Sequence, residues 1–442
     1  MSTIWTNHSN LPEFPKLEKD LRTSVLIIGG GMTGLLCAYF LQQAGVDYCL
    51  LEKNTICSGI TAGTTAKITS QHGLIYSRLL NWEGMEKAQE YFRANEAAVK
   101  RFKDIGWMID CGMKEEDAYV YATENTVKLE KELRALERIR AGAGNVRLPQ
   151  PELVGALKLP IDTVGAIRFP GQAQFHPLQF AAAIAQNLRI YEHSGVREMT
   201  EYFALTEHGS VAAEKIIVAT HFPFINTKGS YFLKMYQQRA YVLALANAPL
   251  VTGMYIDENK RGISFRESEG LLLVGGESHR TGKCENGMER LKERVKQFAP
   301  ESAIVAEWGN QDCMSLDGMP YIGRYSSSTP DLFVATGYNK WGMTGSMLAA
   351  MILSDLVQEK ENEFAEIFSP SRNIVKPQLA VNIFEAMRGI LIPKGSRRCT
   401  HMGCTLQWNR GDGTWECPCH GSRFDECGEL LDNPAENRLR KK

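Results

Sequence analysis

The stretch Ser24-Val-Leu-Ile-Ile28-Gly29-Gly-Gly31-Met-Thr-Gly34-Leu-Leu-Cys-Ala-Tyr-Phe-Leu41 decides how this chain begins to fold. Its first five residues form a short apolar run rich in β-branched side chains, the composition of a strand buried in a parallel sheet. Glycines then follow at G-x-G-x-x-G spacing, and an apolar run reads as a helix ending near Gly45. Gly29 permits a tight turn and Gly31 lets the backbone approach a pyrophosphate. Gly34 lets the helix pack close, with its N-terminus facing phosphate. A second strand, Tyr48-Cys-Leu-Leu51, ends in Glu52, where an acid that binds ribose belongs. The motif alone is weak; a strand before it and a helix after it make it specific. The plainer alternative is a glycine-rich turn without a ligand.

Further strands and a second glycine-rich helix start lie downstream. Lys215-Ile-Ile-Val-Ala-Thr220 reads as a buried strand. Leu332-Phe-Val-Ala-Thr-Gly337 leads through Tyr338-Asn-Lys-Trp-Gly342-Met-Thr-Gly345 into a helix from Ser346 to Val357. Small residues from Ser58 to His72 would let backbone lie against a large flat ligand. No second G-x-G-x-x-G follows, which disfavours separate FAD and NAD(P)H domains, and no C-x-x-C pair marks this part as a thiol–disulfide reductase. Between these pieces, 86–103 and 127–141 read as amphipathic helices whose charges, such as Glu130, Lys131, Glu132 and Arg134, form a solvated face. Residues 164–186 and 236–282 are β-rich and suggest a sheet roofing the bound ligand.

Near the end, Cys399-Thr-His401-Met-Gly-Cys404 and Cys417-Pro-Cys419-His420-Gly-Ser422 place cysteine and histidine pairs on either side of a short loop. Two thiolates for one iron and two imidazoles for the other are what a Rieske [2Fe–2S] centre needs. The same four side chains could fill a tetrahedral zinc shell, but a simple zinc knuckle has no use for Cys404 and Cys419. The two hexapeptides resemble the cluster loops of respiratory-type Rieske proteins. By that resemblance Cys399, His401, Cys417 and His420 are the ligands, and Cys404 and Cys419 form a disulfide that ties the loops together. Two residues after Ser422, where that family often has tyrosine, stands Phe424. Loss of a phenolic donor to a ligand sulfur is expected to lower the potential. The approach to the first loop, Asn382 to Ser396, is short with little strand alternation, so the module is expected to be truncated at its base.

Residues 24–358 resemble the D-amino-acid-oxidase-like FAD oxidoreductases, and the whole chain resembles those that carry a C-terminal Rieske module. The resemblance implies an α/β FAD-binding domain of the glutathione-reductase-like Rossmann class. This would be interleaved with a β-rich substrate domain and followed by a small all-β Rieske module. The implied boundaries are 22–358 for the oxidoreductase, with substrate-domain parts at 80–186 and 230–325, a linker at 359–387, and the module at 388–442. The FAD positions that match are Gly29, Gly31, Gly34, Glu52, Thr64, Thr65, Gly337, Gly342, Met343 and Thr344, and Val196 would meet adenine through its backbone. Arg239, Tyr241, Arg266, His279 and Lys340 are the candidates for substrate contact and catalysis. Each has a duller alternative as a solvent-facing or structural side chain. His72 and Cys57 are candidates for a covalent flavin link.

Composition narrows the function. A net charge of −1 gives no reason to expect nucleic acid as a partner. The basic end Arg438-Leu-Arg-Lys-Lys442 reads as a solvated tail. The uncharged run Ser24 to Gln43 holds three successive glycines and fits strand, turn and helix better than a membrane span. No export signal is apparent. Six of the 11 cysteines are scattered through the first 313 residues and read as small hydrophobes in a reducing compartment, the cytoplasm. Flavin accepts a hydride equivalent and returns electrons singly, while an iron–sulfur cluster exchanges one at a time. The chain is therefore expected to oxidise a small substrate, an amine or amino acid by resemblance, at flavin N5. Electrons would pass singly to the cluster and an external acceptor, or run the other way from a donor protein. A mononuclear-iron oxygenase fails for lack of histidine ligands. A plain flavin oxidase with a vestigial module and a non-catalytic redox sensor stay open.

Overall fold

The computed structural model describes residues 3–6, 10–142, 148–225, 228–391 and 397–440. Leu21–Ile28 lies in the middle of an eight-stranded sheet. Tyr48–Leu51 runs parallel to it on one side and Ser210–Val218 on the other. Thr329–Thr336 continues the parallel order beyond Ser210–Val218, and Ile190–Tyr191 does so beyond Tyr48–Leu51. Leu26, Ile27, Leu50, Ile216 and Ile217 are wholly buried, which is why these strands read as continuous apolar runs. Helices Met32–Gln43 and Gly342–Val357 pack on each other beside this sheet, where the Thr33 and Ser346 hydroxyls hydrogen-bond at 2.9 Å.

A second, nine-stranded sheet is built from the segments between. Its long strand Met235–Ala246 pairs antiparallel with Ala303–Ser315 on one side and Leu271–Arg280 on the other. Lys114–Ala122 and Gly165–Gln174 extend the far side. The chain thus alternates between sheets, the interleaving expected of the oxidoreductase and its substrate part. Helices Met85–Gly106 and Val127–Ala141 cover the expected stretches. One charge departs from expectation. Glu132 is fully buried and accepts from the Tyr76 and Ser77 backbone amides at 2.6 and 2.8 Å, so it caps the helix Ile75–Trp82 and takes no part in a solvated face.

The C-terminal module is a four-stranded antiparallel sheet of Gln407–Asn409, Thr414–Glu416, Arg423–Phe424 and Leu430–Asp432. Much of the approach to its first loop is a helix, Pro377–Leu391, which explains the missing strand alternation. Residues 392–396 of that approach and the last two lysines lie outside the described residues. The tail is not wholly solvated, because Leu439 is buried in the module's core. Among the described residues, no helix is long and apolar enough to cross a membrane.

Candidate flavin and cluster sites

A cavity of about 1500 Å³ lies between the two large sheets, lined by the glycine-rich turn at one end and by strands of the second sheet at the other. The turn must be made of glycine. A Cβ on Gly29, whose φ is +108°, would stand 2.6 Å from the Ala219 carbonyl oxygen, and one on Gly34 would stand 1.9 Å from the Gly29 oxygen. Gly31 differs: its Cβ position meets only the Thr61 hydroxyl, at 3.5 Å, and otherwise faces open space. A phosphate group needs such an approach. Glu52 stands beside the turn and accepts from the Gly30 amide at 2.6 Å. Gly29, Gly31, Glu52 and Val196 all line the cavity, whereas Gly34 packs beneath the turn. The cavity and its glycine cradle fit FAD.

The loop with Thr64 and Thr65 forms the next wall. It is pinned from three sides. Trp5 donates to the Thr64 carbonyl at 2.7 Å, Trp308 donates to that of Gly63 at 2.8 Å, and Arg266 donates to those of Thr65 and Ala66. The helix starting at Gly342 points its first turn into the cavity, with Gly342 and Met343 on the lining. Thr344 turns away and exchanges hydrogen bonds with the Thr69 backbone at 2.9 and 3.0 Å. Gly337, at φ +73°, makes the bend before this helix and does not line the cavity. Both His72 ring nitrogens are hydrogen-bonded, to Tyr91 Oη and the Thr69 carbonyl, and the ring lies outside the cavity lining. Cys57 lines it, with burial raising its thiol pKa.

The substrate-contact candidates separate. Lys340 and Tyr241 line the cavity; Arg239, Arg266 and His279 do not. Arg266 is buried and spends its donors on Gln174 and on backbone carbonyls, so it clamps the Thr64–Ala66 loop. Arg239 pairs with Asp412 of the C-terminal module at 2.6 Å. His279 bonds the Glu277 carbonyl and stacks on Tyr241 at 5.9 Å between ring centroids. The Tyr241 hydroxyl donates to Asp412 at 3.2 Å. Lys340 donates to Ser278, and Ser278 to Gln238. Asp312, which sequence reasoning did not single out, lines the cavity beside Lys340 and His221. Burial raises its pKa, and the charges of Lys340 and His221 oppose that rise. Burial lowers the Lys340 pKa against the pull of Asp312. Lys67 also lines the cavity, its ammonium pushed down to about 7, chiefly by burial. Nothing in the spacing of these side chains marks them as neighbours.

The cluster loops each close on their own backbone. Cys399 N donates to Cys404 O at 2.9 Å and Gly403 N to Cys399 O at 3.0 Å; Cys417 N and Ser422 O pair at 2.9 Å, as do Gly421 N and Cys417 O. The His401 and His420 rings stand 4.9 Å apart. The Sγ atoms of Cys404, Cys417 and Cys419 lie within 4.8 Å of one another. Cys399 hydrogen-bonds to Cys417, and Ser422 reaches Cys399. Burial pushes His401 down to about 4 and His420 to about 3, so both imidazoles are neutral, the form that ligates iron. The buried Nδ1 of His420 has no hydrogen-bond partner among the described residues. Two thiols and two neutral imidazoles fit a Rieske cluster. All 11 cysteines are free, Cys404 and Cys419 included, so the disulfide implied by resemblance is not formed here. Phe424 is fully buried among these cysteines. Phe424→Tyr is expected to raise the cluster's midpoint potential in a redox titration followed by EPR, because a new hydroxyl near sulfur stabilises the reduced form. An unchanged potential would mean that the hydroxyl does not reach sulfur.

The family model of FAD-dependent oxidoreductases (DAO) matches residues 24–356, and that of the Rieske [2Fe-2S] domain matches residues 394–441. The Rieske 2Fe-2S iron-sulfur protein YhfW of Bacillus subtilis is 34% identical over 503 aligned positions, covering 99% of this chain and 97% of the relative. That alignment is longer than the 442-residue chain, so the relative carries residues that this chain lacks. Iron-sulfur subunit 2 of the cytochrome b6-f complex of Trichormus variabilis is 47% identical over 53 residues, 12% of this chain and 30% of that protein. The crystal structure of glycine oxidase from Geobacillus kaustophilus shares the fold at a TM-score of 0.63 and 23% identity, over 80% of this chain and 99% of that one. This chain belongs to the FAD-dependent oxidoreductase (DAO) family, carries a C-terminal Rieske domain, and is an oxidoreductase whose cofactors are FAD and a [2Fe–2S] cluster.

Proposed function

We propose that the chain oxidises a small amine or amino acid at flavin N5 and passes the electrons singly to its Rieske cluster and on to an external acceptor. One observation carries this reading: a cluster loop is seated on the wall of the flavin cavity. Gln237 donates to the His420 carbonyl at 3.0 Å, and its own strand supplies Ala240, Tyr241 and Val242 to the cavity lining. FAD supplies hydride acceptance and single-electron return. The chain's residues supply orientation. Asp312 is placed to hold an ammonium and Lys340 a carboxylate, so an amino-acid zwitterion fits across the pair and a simple amine fits at Asp312. We assign the cavity-lining glycines, Glu52, Thr64, Thr65, Val196 and Met343 to FAD, with Gly34, Gly337 and Thr344 shaping its walls. Cys399, His401, Cys417 and His420 are assigned to iron. Boundaries at 22–358, 359–387 and 388–442 and a cytoplasmic location complete the reading.

The test is anaerobic bleaching of the flavin by a panel of amines and amino acids, with EPR of the same samples. A substrate that bleaches flavin and then brings up the reduced-cluster signal supports the reading. Bleaching with the cluster left oxidised would instead mean a plain flavin oxidase. Asp312→Asn is expected to raise KM for the bleaching substrate about 10- to 150-fold, the loss of one charge-assisted hydrogen bond of about 1.5–3 kcal/mol. Lys340→Met is expected to do so for an amino acid and to spare a simple amine.

A further inference from the structure

The cluster module carries little core of its own. Its buried apolar side chains are Leu406, Phe424, Ala435 and Leu439 around four cysteines, and its strands are two or three residues long. A unit of that size usually needs a metal site, disulfides or packing against another body to hold a fixed loop geometry. The support comes from three neighbouring strands of the oxidoreductase's second sheet, Met235–Ala246, Leu271–Arg280 and Ala303–Ser315. Arg280 donates through Nε to the Pro418 carbonyl and through Nη2 to that of Cys419, both at 2.8 Å. Gln237 donates to the His420 carbonyl at 3.0 Å, and Gln311 to that of Gly421 at 2.8 Å. Four consecutive carbonyls of the second cluster loop therefore each accept from a side chain of the oxidoreductase.

These donors are themselves locked. Gln237 and Gln311 are buried and joined at 2.8 Å, and Thr281 donates to Gln311 at 3.0 Å. The third donor of Arg280 goes to Asn382 on the helix Pro377–Leu391 at 3.0 Å. That helix presses from the other side: a Cβ on Gly389 would stand 2.6 Å from Cys419 Sγ. A Cβ on Gly421 would stand 2.5 Å from that of Gln237, so the loop and the sheet meet without room to spare. Buried polar groups in so complete a network specify one arrangement and are costly to leave half-satisfied.

We propose that Gln237, Arg280 and Gln311 are positioning residues for the iron–sulfur site: the oxidoreductase sheet acts as the base of the shortened Rieske module and holds the loop of Cys417 and His420 in cluster-binding geometry. The inference rests on the presence of the cluster. Arg280 adds a second effect, since a guanidinium beside the cluster loop favours the reduced, more negative cluster.

The experiment uses the full chain with FAD and measures iron per FAD, the EPR spectrum of the dithionite-reduced protein and the midpoint potential. Arg280→Met and the double variant Gln237→Leu/Gln311→Leu are expected to lower iron per FAD at least fivefold while FAD per chain stays at the wild-type level. Any residual cluster should show shifted g-values, with a lower potential in Arg280→Met. Arg280→Lys keeps the charge and one donor and is expected to recover part of the iron. Should one variant be insoluble, the other and the single Gln311→Leu carry the same readouts. Variants with wild-type iron, spectrum and potential would overturn the inference while leaving the cluster in place. A wild-type chain with FAD but no iron would overturn the cluster reading and this inference with it.

Discussion

Gly34→Val is expected to give a chain that purifies without FAD. Gly34 sits in the first turn of the helix Met32–Gln43, directly over the turn it follows. A Cβ there would lie 1.9 Å from the Gly29 oxygen and 3.1 Å from its carbonyl carbon. Both are backbone atoms, and the Gly29 amide is tied to Leu51 at 2.8 Å, so neither end of the overlap can yield by rotating a side chain. Overpacking a core costs about 1–3 kcal/mol when side chains can adjust. Here the strain displaces the helix N-terminus and the Gly31 amide from the phosphate position, and FAD occupancy should fall by about tenfold or more. Flavin absorbance against protein concentration after gel filtration measures it. Gly155→Ala is the control, since its Cβ would meet nothing within 4 Å. Retention of one FAD per chain by Gly34→Val would mean that the helix start does not hold the pyrophosphate.

Arg239→Met is expected to loosen the cluster module from the oxidoreductase. The Arg239 side chain is 5% exposed and stands 2.6 Å from Asp412, which is partly buried, and 3.7 Å from Glu416, which is fully buried. Arg423 shares the same carboxylates at 3.8 and 3.4 Å and pairs with Asp432 at 2.7 Å, so two arginines face three acids. Removing one cation leaves negative charge uncompensated inside the interface. Breaking a buried pair in this way costs about 3–5 kcal/mol, because the stranded partner keeps its desolvation cost. The variant should unfold at lower denaturant concentration and release the module to a protease, while substrate still bleaches the flavin. The opposite outcome, unchanged stability with bleaching abolished, would return Arg239 to the substrate-contact role that its residue type suggests.

How much was legible in advance differs between the two centres. The cluster loops and the glycine turn are local: their residues lie within a few positions of one another, and turn chemistry or ligand spacing brings the right atoms together in any fold that contains them. Glu52 was legible for a related reason, because a strand of known length carries it back beside the turn. The substrate half was not. Arg239, Tyr241, Arg266, His279 and Lys340 are candidates by residue type alone, and in a strand alternate side chains point to opposite faces. A register shift of one residue decides whether such a group meets the cavity or the interface. Asp312 lies one residue past Gln311, yet Asp312 lines the cavity and Gln311 reaches the cluster loop.

Local sequence carries the parts: a nucleotide turn in which bulk is excluded at Gly29 and Gly34, two loops with cysteine and histidine at iron–sulfur spacing, and the order in which two interleaved sheets are made. Packing of the two sheets settles their assembly. It turned Arg239 and Arg280 from substrate candidate and unremarked strand residue into the fastening of the module. It buried Glu132 as a helix cap, and it set Asp312 beside Lys340 on the cavity wall. The physical reason is range. Steric and ligation rules act between neighbours in sequence and can be read there. Pairing of buried polar groups is settled by which surfaces meet, and glutamine or arginine in a strand carries no mark of its partner until the sheets have packed.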